Sequence, residues 1–252
     1  MNKLIGKVAV VTGGNSGIGY ATAKDFIANG ATVIITGRTA TKVSAAASEL
    51  GAIGLVADQG NVKDIDNLVA QVKDQFGKVD VLFVNAGIFN PAPVEAISEP
   101  HFDNQMNINF KGAVFTLQKF LPLLNEGASV INLSSVNAYT GMPNTAIYAA
   151  SKAALNSFTR TAATELAPRK IRVNAVNPGP VATEIFSKSG LPEEAINGFA
   201  TAIQQRVPLK QLGTPETIAK LVTFLASDEA WFITGSEYNI DGGINVNPLL
   251  AN

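Results

Sequence analysis

Tyr148-Ala149-Ala150-Ser151-Lys152 is the stretch of this sequence best equipped for chemistry. On a helix, positions i and i+4 share a face, so the phenol and the ammonium point the same way. A free phenol titrates near 10, and an adjacent ammonium favours the phenolate. The spacing therefore predicts a lowered pKa for Tyr148 and a usable proton donor or acceptor near neutral pH. Taken alone, a Tyr-x-x-x-Lys pair is more often surface decoration. Ser134-Ser135 adds weight, because both follow the strand-like run Val130-Ile131-Asn132-Leu133. A serine at a strand end can donate a hydrogen bond to a developing alkoxide.

A second chemical feature lies near the N-terminus. Thr12-Gly13-Gly14-Asn15-Ser16-Gly17-Ile18-Gly19 leads from a β-branched run into helical spacing at Ile18, Ala21 and Phe26. Glycines let the backbone approach a pyrophosphate, and a helix N-terminus offers it N–H groups and partial positive charge. The spacing is G-x-x-x-G-x-G rather than G-x-G-x-x-G. Gly13, Asn15, Ser16, Gly17, Ile18 and Gly19 are thus expected to line a dinucleotide site, a plain tight turn being the alternative.

The next run ends Thr36-Gly37-Arg38-Thr39. NAD sites typically carry a carboxylate about 20 residues beyond the glycines. Here Gly37 would leave room for a 2′-phosphate, and the Arg38 guanidinium pairs with phosphate oxygens in a fork. The expectation is NADP(H) in preference to NAD(H); the alternative is a solvated surface arginine. Asp58 suits either the adenine amino group or a helix cap, and Asn85-Ala86-Gly87 are small enough for a loop to pass close to a cofactor.

These residues need a scaffold that gathers them. Short apolar runs recur at residues 8–12, 32–36, 54–57, 81–84, 130–133, 172–176 and 237–240, with helical spacing over 17–29, 62–76, 146–166 and 215–226. Nearly continuous apolar strands belong to sheets covered on both faces. Strand–helix alternation throughout implies right-handed crossovers in a parallel sheet. We expect a single doubly wound α/β domain over residues 1–252, with about seven parallel strands and helices on both faces. Residues 183–212 interrupt this regularity with Gly190, Pro192, Gly198 and Pro208, and are expected to form a substrate lid.

Composition narrows the function classes. Hydrophobic residues make up 46% of the 252, charged residues 15%, and the net charge is −1. This suits a large core and gives no electrostatic footprint for nucleic acid. There is no cysteine for thiolate chemistry. No apolar stretch approaches the roughly 18 residues of a membrane span, and Met1–Lys7 is short and polar for a signal peptide. A cytoplasmic protein with no membrane or nucleic-acid partner and no metal site is expected.

With Asn177-Pro178-Gly179-Pro180-Val181-x-Thr183 after the sixth run, the ordered set of motifs resembles the classical short-chain dehydrogenases/reductases over nearly the whole chain. The resemblance implies a Rossmann-type fold and hydride exchange between NADP(H) and a ketone or secondary alcohol. Tyr148 would be the acid/base, Ser135 would polarise the carbonyl, and Lys152 would tune Tyr148 and hold the nicotinamide ribose. Asn109 would support a proton relay; Asn107 competes, but Asn109 has the family's glycine, Gly112, three residues on. Pro178, Gly179, Val181 and Thr183 would grip the nicotinamide. Asn137, Tyr139, Met142 and Phe186 would wall the substrate pocket, with Phe89 and Phe199 as apolar supplements.

Departures and alternatives accompany it. Ser16 stands where many NADP-using relatives carry a second basic residue, so the cofactor expectation rests on Arg38. Asn125-Glu126-Gly127 lacks the basic residues that would meet an acidic acyl carrier protein, leaving a small-molecule substrate. An enoyl reductase would usually space tyrosine and lysine more widely. A homotetramer is expected from the family. The rival function is a catalytically idle dinucleotide-binding sensor or scaffold, though such a chain should have lost Ser135, Tyr148 or Lys152. His101 reads as a surface or helix-start residue, and Trp231 and Phe232 as packing residues.

Overall fold

A computed structural model describes residues 2–182 and 193–246. Seven strands form one all-parallel sheet: β1 (Val8–Val11), β2 (Thr32–Gly37), β3 (Ile53–Val56), β4 (Val79–Val84), β5 (Leu124–Leu133), β6 (Arg172–Pro178) and β7 (Glu237–Ile240). Their order is β3-β2-β1-β4-β5-β6-β7, so the winding reverses between β1 and β4. Open α/β sheets bind ligands at such a reversal, outside the strand carboxyl ends.

The helices are α1 (Gly17–Ala28), α2 (Ala40–Leu50), α3 (Val62–Phe76), α4 (Glu99–Met106), α5 (Gly112–Phe120), α6 (Ala146–Leu166), α7 (Glu193–Arg206) and α8 (Pro215–Ala226). A π-helical turn, Asn107–Lys111, joins α4 to α5. Strand periodicity splits the core in two. Val10, Ile34, Leu82 and Val173 face a layer with Leu68, Leu117, Phe120 and Leu155. Their neighbours Val11, Ile35, Phe83 and Val176 face the opposite layer with Phe26, Ile218, Val222 and Leu225. Strands buried on both sides explain the continuous apolar runs.

Two expectations are corrected. Strand β5 begins at Leu124, not Val130, because Leu124 pairs with Val79 before a register shift lets Ser129 pair with Val81. The polar residues of that irregular stretch hid the strand. Trp231 and Phe232 do not pack inside: they are 73% and 84% exposed, and their rings meet 5.1 Å apart. His101 does lie in the first turn of α4, its N–H donating to the Ser98 hydroxyl.

The expected lid region is bounded by a closure. Val181 and Gly213 form a parallel bridge, the Ala182 N–H donates to the Gly213 carbonyl at 2.9 Å, and the Gly213 N–H to the Pro180 carbonyl at 2.9 Å. The residues that flank 183–212 therefore meet at one point after β6. Thr183 and Phe186 lie outside the described residues.

Buried Arg172 on β6 ties the sheet to α8, donating to the carbonyls of Leu225 (2.7 Å) and Ser227 (3.1 Å), where a cation meets the negative end of the helix. Arg172→Met leaves those carbonyls without their charged donor. It should destabilise the chain by about 2–3 kcal/mol, read as a lower urea midpoint.

Candidate active site

At the reversal point the loops after β1 and β4 are locked edge to edge. The Thr12 hydroxyl accepts the N–H groups of Asn85 and Ala86, both at 3.0 Å. The Asn85 amide donates to the carbonyls of Thr12 (2.8 Å) and Gly13 (3.1 Å). Gly13 and Gly17 have φ of +65° and +55°, a region open chiefly to glycine. A Cβ on Gly19 would fall 2.4 Å from the Gly13 carbonyl oxygen, so the start of α1 can sit this tightly under the turn only as glycine. Ser16 is the cap residue of α1, yet its hydroxyl makes no capping hydrogen bond. Backbone donors at a glycine-lined helix start are a cradle for a pyrophosphate, so the residues present fit a dinucleotide.

Around this cradle, Ile18 packs against the core. Asn15 lies over the end of β2: a Cβ on Gly37 would meet Asn15 Oδ1 at 2.4 Å. Arg38 is exposed and has no hydrogen bond or ion pair among the described residues. Asp58 neither caps a helix nor stands fully free. One carboxylate oxygen accepts the Gly60 N–H at 2.8 Å, while Asn61 caps α3. Gly179 is pressed against the turn after β7, where a Cβ would lie 2.6 Å from the Asp241 Cα, and Pro178 ends β6 beside it. Val181 is buried at the closure.

Strand β5 and helix α6 supply the reactive groups. Lys152 is buried, its ammonium donating to the Leu133 carbonyl at 2.7 Å and lying 5.8 Å from the centre of the Tyr148 ring. Tyr148 is half-buried, edge-on to Phe89 at 5.0 Å. The Ser135 hydroxyl accepts the Asn137 N–H at 3.2 Å, which leaves its own proton to donate. A Cβ on Gly87 would come 3.2 Å from Asn109 Oδ1 and 3.5 Å from the Lys152 ammonium. The loop after β4 thus passes directly over both groups.

The electrostatics correct one expectation. Burial pushes the Tyr148 phenol above its ordinary value, and its interaction with the Ser135 hydroxyl only partly offsets this. Burial also lowers Lys152 to about 8. Sequence spacing reveals a neighbouring ammonium but not the loss of water around the phenol, and that loss dominates. A phenol held neutral retains its proton for donation.

Asn109, not Asn107, is the asparagine directed at this site. Its amide accepts the Ile88 N–H (2.8 Å) and donates to the Ile88 carbonyl (2.9 Å) and the Ser151 hydroxyl (3.2 Å). Ser151 in turn donates to the Tyr148 carbonyl at 2.7 Å. In the sequence Ser151 reads as a spacer within Tyr-x-x-x-Lys, and a polar side chain on the inner face of α6 is the available signal. Asn107 makes no side-chain hydrogen bond among the described residues. Of the expected pocket wall, Asn137 and Met142 lie together, with Asn137 Nδ2 3.7 Å from the Met142 sulfur. The Tyr139 hydroxyl is instead committed to Glu237 on β7 and accepts from Asn156 (3.0 Å) and Asn177 (3.3 Å).

A buried ammonium is a burden on the fold. Between about pH 8 and 10.5 the folded chain binds fewer protons than the unfolded one, so stability rises with pH across that window. Below pH 8 the penalty is present in full. Lys152→Met should therefore be more stable than the parent at pH 7, by about 2 kcal/mol. Its advantage should shrink as pH climbs towards 10.5, as thermal melts at pH 7 and 9.5 would record.

Comparison with known proteins accords with this geometry. A family model described as enoyl-(acyl carrier protein) reductase matches residues 13–245. Oxidoreductase asL5 of Sarocladium schorii is 40% identical over 249 residues, 97% of this chain and 98% of that protein. The 3-oxoacyl-[acyl-carrier-protein] reductase FabG of Thermotoga maritima is 39% identical over 254 residues, covering 96% and 99%. Among solved structures, a short-chain dehydrogenase from Burkholderia cenocepacia in complex with NADP superposes with a TM-score of 0.89 at 34% identity, covering 97% of this chain and 100% of that one. The cradle, the parallel sheet and the full-length matches together place this chain in the classical short-chain dehydrogenase/reductase family of oxidoreductases.

Proposed function

We propose that this chain is an NADP(H)-dependent carbonyl reductase, or in reverse a secondary-alcohol dehydrogenase, acting through Ser135, Tyr148, Lys152 and Asn109. The observation that carries this reading is the meeting of phenol, hydroxyl and buried ammonium beneath the open Gly87 turn, at the strand ends where the dinucleotide cradle lies. An idle sensor would have no need of a lysine kept where it penalises folding.

The bound dinucleotide supplies the hydride. The α1 N-terminus and the glycine turn hold its pyrophosphate, and Gly13 to Gly19 with Asn85–Gly87 shape that cradle. Asp58 takes the adenine end through its free oxygen; Pro178, Gly179, Val181 and Thr183 take the nicotinamide end. Ser135 donates its proton in a hydrogen bond to the substrate oxygen, lowering the cost of negative charge there. Tyr148 transfers its phenolic proton to the same oxygen. Lys152, charged below about pH 8, stabilises the resulting phenolate and binds the ribose hydroxyls. Asn109 acts by fixing the loop at Ile88 and, through Ser151, the helix turn of Tyr148.

The unpartnered Arg38 beside Gly37 supports NADP(H) over NAD(H), as does the NADP complex of the Burkholderia relative. A free ketone or alcohol, rather than a carrier-bound acyl chain, fits the turn Asn125-Glu126-Gly127, where Glu126 already pairs with Lys170 at 2.7 Å. Residues 183–212 would serve as the substrate lid within a single domain, completing a wall with Asn137 and Met142. No helix among the described residues is long and apolar enough to cross a membrane. A cytoplasmic homotetramer completes the reading, and the uncovered rings of Trp231 and Phe232 supply apolar surface for a neighbouring copy.

Tyr148→Phe should lower kcat for NADPH-driven ketone reduction by about a thousandfold while leaving the Kd for NADPH within twofold of the parent. Loss of 340 nm absorbance across a panel of aryl ketones, keto esters, sugars and steroids measures it; undiminished turnover would remove Tyr148 as the proton donor. Arg38→Leu should lower kcat/KM for NADPH by about tenfold or more and leave that for NADH unchanged. A parent enzyme that prefers NADH would overturn the cofactor assignment.

A further inference from the structure

Gln59 is buried in the turn between β3 and α3, outside every role described above. Its amide nitrogen donates to the Ala86 carbonyl at 2.8 Å and to the Ile108 carbonyl at 3.2 Å. Ala86 belongs to the cofactor loop, and Ile108 to the π-helical turn that carries Asn109. Both neighbours are acceptors, so only the NH₂ group can face them. This leaves Gln59 Oε1 buried and without a hydrogen-bond partner. An unpaired buried oxygen is destabilising, and an apolar residue of the same size would not incur that cost.

The π-helical turn explains why a donor is needed at this point. The Gly112 N–H donates to the Asn107 carbonyl, five residues back, instead of to the Ile108 carbonyl that an α-helix would give it. The Ile108 carbonyl turns to Gln59 instead. The approach is close: a Cβ on Gly112 would fall 2.2 Å from the Gln59 carbonyl oxygen and 2.8 Å from its Cγ. One amide therefore spans the gap between the loop under the dinucleotide and the helical turn under the reacting groups.

We propose that Gln59 is a positioning residue for the cofactor loop: by bridging the Ala86 and Ile108 carbonyls, it sets how far Ala86–Gly87 stands from Asn109 and Lys152. The proposal rests on the dinucleotide-binding part of the functional reading above. With the bridge gone, two carbonyls lose a donor, the loop lifts from the π-helical turn, and the cradle no longer matches its ligand.

Two variants and a binding measurement test this. Gln59→Met keeps the size and removes the donors; Gln59→Glu keeps the shape and can donate only when its carboxyl is protonated. Calorimetric titration with NADP+ at pH 5.5 and 8.5 should give Gln59→Met a Kd about tenfold above the parent at both values. Gln59→Glu should bind nearly as tightly as the parent at pH 5.5 and at least tenfold more weakly at pH 8.5. Asp58 and Asp64 in the same turn, Lys111 on the π-helical turn and Lys152 across the loop are common to all three chains, so the difference reports position 59. A Gln59→Met chain within twofold of the parent, or a Gln59→Glu chain that follows the parent at both pH values, overturns the proposal. A Gln59→Met chain that does not fold also overturns it, assigning Gln59 to the scaffold alone. A parent that binds NADP+ but reduces no carbonyl would remove the reductase reading while leaving the Kd comparison to judge Gln59.

Discussion

A lysine ammonium held out of water by one helix and one strand governs the arrangement of this molecule. Lys152 reaches from α6 to the last carbonyl of β5, and with the Ser134 hydroxyl donating back to the Lys152 carbonyl and Asn132 to Thr159, this bond pins the helix across the strand end. Tyr148, one turn earlier, is thereby set above Ser135 and against Phe89. The dryness that lowers the ammonium pKa is the same dryness that keeps the phenol protonated. The site keeps a charge where burial disfavours it.

Side-chain amides perform the work that regular structure performs elsewhere. The loop after β4 pairs with no strand, and its backbone groups still require partners. Asn85 fastens its start to the glycine turn, Asn109 binds both the N–H and the carbonyl of Ile88, and Gln59 takes the Ala86 carbonyl. An amide both donates and accepts, and suits a segment that presents mixed groups. The loop is consequently irregular in form yet anchored at nearly every residue.

Much of this was legible in the sequence, for identifiable reasons. Strands buried on both faces declare themselves as unbroken apolar runs, and the Thr214-Pro215 entrance of α8 is marked by capping chemistry, with the Thr214 hydroxyl accepting the Thr217 N–H. Tyr148, Lys152 and Ser135 can be brought together from the sequence because residue type and spacing carry their geometry. What was missed depends on surroundings rather than on type. The direction of the Tyr148 shift follows from burial that only the packed fold creates. The π-helical turn has no local signature in Asn107-Ile108-Asn109-Phe110-Lys111, and Gln59 and Ser151 resemble polar filler until their partners are seen. Trp231 and Phe232 show the opposite failure, since an apolar type does not compel burial.

The parallel bridge between Val181 and Gly213 has an evolutionary consequence. Both ends of the intervening stretch are clasped at one spot, and its last turn is held again where the Leu209 N–H donates to the Gly242 carbonyl and Val207 is buried. Lengthening such a stretch adds little closure entropy, since the penalty grows only with the logarithm of its length. Insertions in that stretch should therefore be cheap only ahead of Val207, because Val207 is buried and Leu209 is bonded to the turn after β7.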